Sequence, residues 1–348
     1  MVWANGATNT VKADFETHPQ RNDWEVGVDG FSTVVNYEGG GVVAGASYSN
    51  NQRFQIMVTN GGTWNMTSAA SWGPIPASNG SGLQLQGDGT GTVEFKSGFD
   101  GSTIGIGGSG GTLAQGLSVE NVTLITNETG NLPAASTDPN FPGTPDIKLR
   151  SGGIWKVQTN DQVLGGTYGN DLTMAASGTG TVQTVTNLTT NGHVGLWYGT
   201  SVLQKTGAAN LNINGTAGTG EGLGGPAGST LAVAEGAVNI NANPVDADGP
   251  DDTPGTPDDN APLQNTVGRF TVASGASLNI NSRLQLVAGG TAASEAQGAV
   301  TIAPTASLDI TDNDVIFHNA GSAGLAARTA ELQSGAYGGV NGYWDGPG

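Results

Sequence analysis

A short phrase of alternating apolar and polar residues recurs in the second half of the chain. In residues 275–281, Leu278 and Ile280 alternate with serine and asparagine. A period of two is typical of a β-strand that buries one face, because successive side chains of a strand point to opposite sides. We therefore predict that Leu278 and Ile280 face inward. Three further copies of the phrase lie at residues 207–214, 236–241 and 305–311.

The spacing of the four copies indicates a repeat architecture. Their isoleucines stand at positions 213, 240, 280 and 310, which gives intervals of 27, 40 and 30. The longest interval contains the proline- and aspartate-rich residues 243–262, which indicate an insertion. Without most of that segment, the interval is close to the other two and falls in the range of solenoid repeats. We predict that Leu278 and Ile280 stack on neighbouring rungs.

The rest of the chain shows the same alternation of apolar and polar positions with other residues. From position 53 onward, pairs of apolar residues separated by one position recur and are closed by glycine, asparagine or serine, as expected of short strands joined by turns. Residues 51–320 are therefore predicted to form the body of a β-solenoid. Residues 1–50 are less repetitive, and their apolar residues predict an N-terminal cap over the open strand edge. The pairs include Phe54 with Ile56, Leu83 with Leu85, Val93 with Phe95, and Leu117 with Val119.

A longer echo indicates that groups of strands repeat as well. Residues 61–64, Gly-Gly-Thr-Trp, return as Gly-Gly-Ile-Trp at residues 152–155, a shift of 91. Residues 89–93, Gly-Thr-Gly-Thr-Val, return at residues 178–182, a shift of 89. Because the two shifts nearly agree, they are consistent with about three rungs in each long repeat.

Two proline-rich segments and the C-terminus interrupt the pattern. Residues 136–146 and 243–262 both contain Pro-Gly-Thr-Pro-Asp, and proline cannot donate a hydrogen bond to a strand ladder. Both segments are predicted to leave the stack as loops. Residues 325–332 show a helical pattern, so residues 321–348 are predicted to form a short helix followed by an aromatic tail.

Composition and charge exclude several classes of protein. Glycine supplies 59 of the 348 residues without the every-third spacing of collagen, and the recurring apolar pairs argue against disorder. The net charge of −18, from 29 acids and 11 bases, argues against a nucleic-acid partner. The absence of cysteine excludes a disulfide framework and thiol catalysis. No apolar run has the length of a membrane-spanning segment.

The densest group of carboxylates lies in the second proline-rich segment and predicts a calcium site. Calcium takes six to eight oxygen ligands, which a flexible loop of aspartates and carbonyl groups supplies. The alternative is a solvated acidic loop without a metal, since the glutamate at the twelfth position of an EF-hand is missing. A second, weaker candidate is Asp309, Asp312 and Asp314, whose alternative role is to cap turns. The predicted metal ligands of the first site are Asp246, Asp248, Asp251, Asp252, Asp258 and Asp259.

Two literal motif matches carry no chemistry in this context. Residues 105–110 match a dinucleotide-binding fingerprint and residues 107–111 match a nucleophile elbow. The first motif requires a βαβ unit and the second a strand-turn-helix, and neither pattern surrounds these residues. His18, His193 and His318 are too far apart in sequence to form a metal motif.

A carbohydrate-active protein is the main alternative to a structural role. Enzymes of that class need two acids on one face, or a base beside acids, and the sequence does not pair its candidates convincingly. Exposed aromatic residues serve glycan binding, and Trp155, Trp197 and Tyr198 are the candidates, with core packing as the alternative role. The acid and base candidates are Glu94, Asp100, Asp161, Asp171, Arg150 and Lys156.

The C-terminal region resembles a known family. Residues 325–346, which end in Gly-Tyr-Trp-Asp-Gly after the segment Leu-Asp-Ile-Thr-Asp-Asn-Asp at 308–314, are similar to the C-terminal region of secreted Planctomycetes-type proteins with autotransporter-associated β-strand repeats. The close match covers about forty residues. The resemblance implies a secreted, right-handed parallel β-helix and supplies no established catalytic residues.

These observations lead to one expected fold and two expected functions. We expect an all-β, right-handed parallel β-helix with terminal caps and a short C-terminal helix. The first function is an extracellular structural or adhesive role, as a stalk, a surface layer or a filament component, with polysaccharide or further copies of the chain as partners. The alternative is a carbohydrate-active β-helix, either a lyase, a hydrolase or a glycan binder. Since no acid and base converge in the sequence, we favour a protein that is not an enzyme.

Overall fold

A computed structural model gives the protein as a β-solenoid built from short parallel strands. Among the described residues, the only helix is the 3-10 turn Thr129–Asn131. No helix in that part of the chain has the length and apolar character needed to cross a membrane. The structure describes residues 2–4, 6–11, 15–17, 23–38, 42–44, 53–67, 82–99, 101, 116–132, 147–165, 171–215, 222–246, 261–262, 265–290 and 292–318.

The strands are two to seven residues long and follow one another closely. The first twelve are β1 (Val2–Trp3), β2 (Thr8–Val11), β3 (Phe15–Thr17), β4 (Asp23–Asp29), β5 (Val34–Tyr37), β6 (Val42–Ala44), β7 (Arg53–Thr59), β8 (Thr63–Met66), β9 (Gly82–Gly87), β10 (Thr92–Phe95), β11 (Gly116–Glu120) and β12 (Thr123–Thr126). The next twelve are β13 (Ile147–Leu149), β14 (Ile154–Val157), β15 (Gln162–Leu164), β16 (Leu172–Met174), β17 (Gly178–Thr184), β18 (Leu188–Thr190), β19 (Val194–Leu196), β20 (Ser201–Thr206), β21 (Asn210–Ile213), β22 (Leu223–Gly224), β23 (Thr230–Val233) and β24 (Ala237–Ile240). The last ten are β25 (Val245–Asp246), β26 (Ala261–Pro262), β27 (Asn265–Val267), β28 (Arg269–Val272), β29 (Ser277–Ile280), β30 (Arg283–Leu286), β31 (Ser294–Ala296), β32 (Ala299–Ile302), β33 (Ser307–Asp309) and β34 (Val315–Phe317).

Successive strands contribute to three faces of the solenoid in turn. Face 1 is a nine-stranded parallel sheet in the order β1-β4-β7-β9-β11-β13-β16-β19-β22, and the three-stranded sheet β27-β30-β33 continues it beside β22. Face 2 is a twelve-stranded parallel sheet in the order β2-β5-β8-β10-β12-β14-β17-β20-β23-β28-β31-β34. Face 3 is a six-stranded parallel sheet in the order β15-β18-β21-β24-β29-β32. The strands β3 and β6 form a separate parallel pair near the N-terminus.

The interior is a set of apolar columns that run along the stack. Within each strand, buried and partly exposed residues alternate, as in the pattern of β29, where Leu278 and Ile280 are fully buried. The register pairs apolar residues with apolar residues on neighbouring strands. A slip of one residue would turn the whole apolar set outward, so burial of that set fixes the register. The inward position of Leu278 and Ile280 confirms the sequence prediction.

Strand register places three of the four copies of the alternating phrase on one face and the fourth on another. Ile213, Ile240 and Ile280 are neighbours in one column of face 3. The next residue in that column is Ile302 rather than Ile310. The copy at 305–311 instead supplies β33, which pairs with β30 on face 1. The copy at 305–311 therefore joins a different face from the other three, because the next turn of the chain is short and returns to face 3 before that copy begins.

The longer echo in the sequence corresponds to a step of three rungs. Trp64 of β8 and Trp155 of β14 occupy the same inward column of face 2, with Val93 and Leu124 between them. The second pair of echoing segments places Val93 and Val182 in that column, again three strands apart. Both echoes therefore fit the expectation of about three rungs in each long repeat.

Strands from the first fifty residues already belong to the stack. β1 pairs with β4 on face 1, and β2 pairs with β5 on face 2. Val26, Val28 and Val35 are buried core residues, while Phe31 on the following turn is 85% exposed. The described strands of this segment are thus rungs of the solenoid, where the sequence had suggested a covering cap.

The two ends of the second proline-rich segment pair with each other in antiparallel fashion. Val245 pairs with Pro262 and Asp246 with Ala261, between β24 on face 3 and β27 on face 1. Residues 247–260 lie outside the described residues, so the excursion within residues 243–262 stays a prediction. The first excursion, residues 136–146, and the predicted helix and tail at 321–348 lie outside the described residues.

The inward column of face 2 includes a lysine. Lys205 lies between Val182 and Val233 in strand register and is fully buried. Its Nζ atom donates hydrogen bonds to the backbone carbonyl oxygens of Gly207 at 2.6 Å and Glu235 at 2.8 Å. Burial lowers the pKa of Lys205 to about 8, against the opposing effect of the charge on Glu235. The ammonium group thus joins two successive turns at the cost of desolvation.

Candidate functional site

The predicted calcium loop lies almost wholly outside the described residues. Only the backbone of Asp246 is described, as the second residue of β25. The other five predicted ligands are Asp248, Asp251, Asp252, Asp258 and Asp259. Within the described ranges, no three histidine, aspartate or glutamate side chains are close enough to hold a metal ion. The calcium site of this loop stays a prediction.

The second group of aspartates is engaged in turns. Asp309 accepts a hydrogen bond from Gln285 Nε2 at 2.7 Å and another from the backbone N–H of Thr311 at 2.9 Å. Asp312 accepts a hydrogen bond from the backbone N–H of Gly289 at 3.1 Å. These contacts match the capping role that the sequence left open as the alternative.

Trp155 is removed from the glycan-binding candidates by its burial. Its side chain is fully buried in the inward column of face 2. Its indole Nε1 donates a hydrogen bond to Thr126 Oγ1 at 2.8 Å, and Thr126 Oγ1 in turn donates to Gln162 Oε1 at 2.7 Å. Trp155 is thus a core residue whose polar atom is satisfied internally, and no sugar reaches its ring.

The other two aromatic candidates are exposed at the corner between faces 1 and 2. Trp197 is 62% exposed and Tyr198 is 48% exposed, just after β19. The ring of Trp197 lies against that of His193, with centroids 5.4 Å apart and planes inclined by 33°. We call Trp197, Tyr198 and His193 the aromatic corner.

Two glycines make room for the aromatic corner on the outer surface of face 1. A Cβ atom on Gly195 would lie 2.8 Å from Trp197 Nε1 and 2.9 Å from His193 Cδ2. A Cβ atom on Gly224, its neighbour in strand register, would lie 2.6 Å from His193 Cε1. These distances are too short for a real side chain, so the two rings rest directly on the strand backbone. A tryptophan held this way offers its outer side as a flat apolar surface.

The aromatic corner combines a neutral imidazole with a neighbouring carboxylate, that of Asp171. The backbone N–H of His193 donates to Asp171 Oδ1 at 2.9 Å, which fixes the start of β19. Burial lowers the pKa of His193, so its imidazole is neutral at pH 7. Thr173, the neighbour of Gly195 on β16, is buried, and its Oγ1 atom has no hydrogen-bond partner among the described residues. The corner thus combines one flat ring with a neutral histidine.

The acid and base candidates from the sequence occupy separate places. Asp161 accepts hydrogen bonds from the backbone N–H and the side-chain amide of Asn187 at 2.8 and 3.0 Å, at the edge of face 3. Glu94 and Lys156 share an outward column of face 2, with Ile125 between them. Asp171 lies beside the aromatic corner, and Asp100 is outside the described residues. The described candidates therefore do not form the pair of facing carboxylates that glycoside hydrolysis requires.

A shallow groove of about 260 Å³ runs over the outer surface of face 2. Small side chains line it, among them Ala232, Ala234 and Ala273, and strand register places Gln204 and Glu295 at its two ends. Glu295 Oε2 lies 3.4 Å from Nε2 of His318. The described lining has one carboxylate, so it supplies one member of an acid–base pair. The groove and the aromatic corner are different parts of the surface, and neither is a cleft that joins Trp197 to two acids.

The outer surface of face 3 carries hydrogen-bonded ladders of asparagine. In the middle column, Nδ2 of Asn239 donates to Oδ1 of Asn212, and Nδ2 of Asn279 donates to Oδ1 of Asn239, both at 2.7 Å. A parallel column one step along the strands contains the bonds from Asn241 to Asn214 at 2.9 Å and from Asn281 to Asn241 at 2.7 Å. We call the outer surface of β18, β21, β24, β29 and β32 the asparagine face. It includes Asn187, Asn210, Ala237, Ser277 and Ala299 in a first column, Thr189, Asn212, Asn239, Asn279 and Thr301 in a middle column, and Asn191, Asn214, Asn241 and Asn281 in a last column.

Sequence reasoning found the asparagines only as the polar half of an alternating pattern. The signal for a ladder was present, because asparagine returns at the same place of the phrase in three copies. Gly195, Gly224 and His193 carried no such signal, since their importance depends on two neighbouring strands that are far apart in sequence. Lys205 was missed because a lysine in an apolar column contradicts the pattern that identifies the column.

No family model, curated protein or solved structure matches the chain. The similarity of its C-terminal residues to secreted Planctomycetes-type proteins therefore stays a prediction from the sequence.

Proposed function

We propose that the protein is a structural or adhesive element of an extracellular surface, in which the solenoid acts as a rigid spacer. The observation that carries the proposal is the continuous stack of face 2. Its twelve parallel strands, spaced about 4.8 Å apart, extend over roughly 50 Å. Each rung is bonded to the next through backbone and side chains, so force along the axis is shared by many contacts.

Several features of the surface support a spacer that works outside a cell. The chain contains no cysteine, so its stability is independent of the redox state of its surroundings. Turns are bonded from rung to rung, as where Asp88 accepts the backbone N–H of Asn60 at 2.8 Å and Asn60 Nδ2 donates to Asp29 at 2.6 Å. The hydroxyl of Thr90, together with the backbone N–H of Asn60, lowers the pKa of Asp88 to about 2, and the side-chain amide of Asn60 lowers the pKa of Asp29. Both carboxylates thus stay charged and bonded in mildly acidic surroundings.

The location of the protein tests this proposal. Antibodies raised against the folded chain should label intact cells of its source, and protease added to intact cells should remove the label. Electron microscopy of the purified chain should show rods, either single or joined end to end. Label that is found only after the cells are lysed would overturn the proposed extracellular role.

A second candidate function is glycan binding at the aromatic corner. The observation that favours it is the exposed ring of Trp197, which rests on the backbone at Gly195. The apolar face of a sugar ring stacks on such a surface, and the hydroxyl group of Tyr198 is available nearby for a hydrogen bond. Titration of the chain with soluble oligosaccharides should change the tryptophan fluorescence. The change should be absent in Trp197→Ala and retained in Phe31→Ala, which removes an exposed aromatic residue elsewhere.

We also propose that the loop from Asp246 to Asp259 binds calcium. Six carboxylates within fourteen residues repel one another in a chain of net charge −18, and an ion that binds only the folded loop raises stability by mass action. Millimolar calcium should raise the melting temperature, chelator should lower it, and magnesium should substitute poorly. The double change Asp246→Asn and Asp248→Asn should remove most of the response. An unchanged melting curve of the parent with calcium and chelator would show a solvated loop instead.

A further inference from the structure

We propose that the asparagine face binds an insoluble, uncharged polysaccharide and is the adhesive surface of the solenoid. This inference rests on the proposed adhesive role and names its partner. The first observation is the regularity of the face. In its middle and last columns, polar groups repeat from rung to rung, about 4.8 Å apart along the axis, and the two columns lie two residues, about 6.6 Å, apart along the strands. The first column is less regular, since it contains Ala237 and Ala299. A surface with two fixed spacings fits a partner that is itself a repeating polymer.

The second observation is the absence of charge within the face. Its three columns consist of asparagine, threonine, serine and alanine, although the chain as a whole carries a net charge of −18. Described charges stand at its margins, at Asp161, at Glu235, and at Arg283, which reaches Asn243. A cationic partner would be drawn to the acidic surfaces elsewhere on the molecule, and an anionic one would be repelled by them. The neutral face therefore suits a neutral partner.

The third observation is that the ladders fix the direction of the remaining hydrogen-bonding groups. Each amide of the middle column uses one N–H hydrogen and one oxygen lone pair in the ladder. An asparagine side chain has two hydrogens and two lone pairs, so one of each is left per rung. Because the amides cannot rotate without breaking the ladder, these groups are held in place before a ligand arrives.

The chemistry of the partner follows from these observations. It presents hydroxyl groups at regular intervals, it is uncharged, and it is flat enough to meet a sheet surface without a pocket. Each contact is weak because it replaces water, so useful affinity requires many contacts at once. An insoluble neutral polysaccharide meets all of these conditions. A soluble monosaccharide makes only a few contacts and should bind too weakly to detect.

The test is a pull-down with microcrystalline cellulose and with chitin, using the full chain. The variant Ser277→Arg places a long charged side chain in the first column and leaves the asparagine ladders intact. The matched control, Thr271→Arg, makes a similar change in the groove of face 2. We expect the parent and Thr271→Arg to sediment with at least one of the two polysaccharides, and Ser277→Arg to bind at least tenfold more weakly. Binding should change little between low and high salt, because no charges are paired.

Melting curves of all variants separate lost binding from lost folding. If Ser277→Arg does not fold, Asn241→Arg tests the same face at an exposed position of the last column. Failure of the parent to bind either polysaccharide, or binding by a folded face variant at the level of the parent, would overturn the inference. So would loss of binding in Trp197→Ala alone, which would assign the polysaccharide to the aromatic corner.

Two further outcomes would identify a different occupant of the face. Ice is another array of repeating, uncharged hydrogen-bonding groups, and shaping of ice crystals by the parent but not by Ser277→Arg, without polysaccharide binding, would overturn the inference. Sedimentation velocity that shows a dimer of the parent and a monomer of Ser277→Arg would assign the face to a second copy of the chain. None of these results depends on the cell-surface labelling that tests the structural role, so the two proposals fail separately.

Discussion

The early rungs and the late rungs of the solenoid differ in their interiors, although both have hydrogen bonds between side chains on the outer surface, such as Gln86 to Glu120 in the early rungs. In the early rungs, from β8 to β14, the interior holds large aromatic side chains, and their polar atoms are bonded inside. Trp155 donates to Thr126, which donates to Gln162, and all three are buried. In the late rungs, from β20 to β32, face 3 has an aliphatic interior, and the repeated hydrogen bonds run between asparagines on its outer surface.

The length of the rungs does not separate the two regions. In the inward column of face 2, the early intervals are 31 residues from Val93 to Leu124 and 31 from Leu124 to Trp155. The later intervals are 23 residues from Val182 to Lys205, 28 from Lys205 to Val233 and 39 from Val233 to Val272. The difference between the two interiors therefore lies in the residue types that face inward.

One fold is thus stabilised with two kinds of interior. The early rungs bury large aromatic side chains, and burial contributes about 25 cal/mol for each Å² of apolar surface. The late rungs of face 3 bury aliphatic side chains and carry asparagine ladders that repeat from rung to rung. Changes in the interior should therefore be most costly in both regions, and changes to the outer ladders should cost less.

The largest effect is expected from a charge inside the late rungs. Ile280→Asp would place a carboxylate between Ile240 and Ile302, at a position with no exposed surface. Such a group has no partner there, and we expect a loss of about 4–5 kcal/mol in the free energy of unfolding. Chemical denaturation measures this loss, and Thr301→Asp on the exposed side of the neighbouring strand is the control. A variant that unfolds like the parent would mean that the register of face 3 is wrong.

The next effect concerns the aromatic interior of the early rungs. Trp155→Ala should lower the free energy of unfolding by about 3–5 kcal/mol, because it leaves a cavity and removes the donor to Thr126. Trp155→Phe keeps most of the apolar volume and should cost clearly less. If chemical denaturation shows the same loss in the free energy of unfolding for both variants, the hydrogen bond to Thr126 stabilises this region more than the packing of the indole ring does.

The sequence predicted which residues form strands better than it predicted the face of the solenoid to which each strand belongs. Alternation at Leu278 and Ile280 is a local property, because it depends only on which side of the strand is buried, and it was correct. The face to which Ile310 belongs was not predictable, because spacing along the chain does not reveal which face a phrase joins. Variable turn length sends the copy at 305–311 to face 1, and only the pairing of β33 with β30 shows it.

The candidate site was predictable only in part, for a similar reason. Trp155, Trp197 and Tyr198 are all large aromatic residues. Trp155 nevertheless lies inward, and the other two lie outward. Trp155 belongs to an alternating strand, so its direction is fixed by its neighbours. Trp197 and Tyr198 lie at a corner, where strand alternation ends and the direction of a side chain depends on which residues of the adjacent rungs are glycine.

A smaller effect, and one that depends on pH, is expected at Lys205. Its pKa is lowered to about 8 in the folded chain and is near 10.4 in the unfolded chain. Between these values the unfolded state binds more protons, so the free energy of unfolding should rise with pH, by up to about 1.4 kcal/mol per pH unit. Below pH 8 the lysine is charged in both states, and this contribution is constant. Denaturation at several pH values measures the slope.

The variant Lys205→Met separates this lysine from every other titrating group. It retains the length of the side chain and removes the charge, so the rise in stability between pH 8 and pH 10 should be smaller than in the parent. Lys156→Met on the outer surface of the same face is the matched control and should leave the slope unchanged. Equal slopes in the parent and in Lys205→Met would show that the ammonium group is not desolvated in the folded chain.

The smallest effect is expected from the asparagine ladder, and it tests the outer surface of the late rungs. Asn239→Ala removes the bonds to both Asn212 and Asn279. Because the ladder is partly open to water, we expect a loss of about 1 kcal/mol. Gln204→Ala, on the outer surface of face 2, should cost less. The double variant Asn239→Ala and Asn279→Ala should cost less than the sum of the single changes, since the bond between the two residues is lost only once. Strict additivity in denaturation experiments would mean that each asparagine acts alone, and that the late rungs are held by their aliphatic interior.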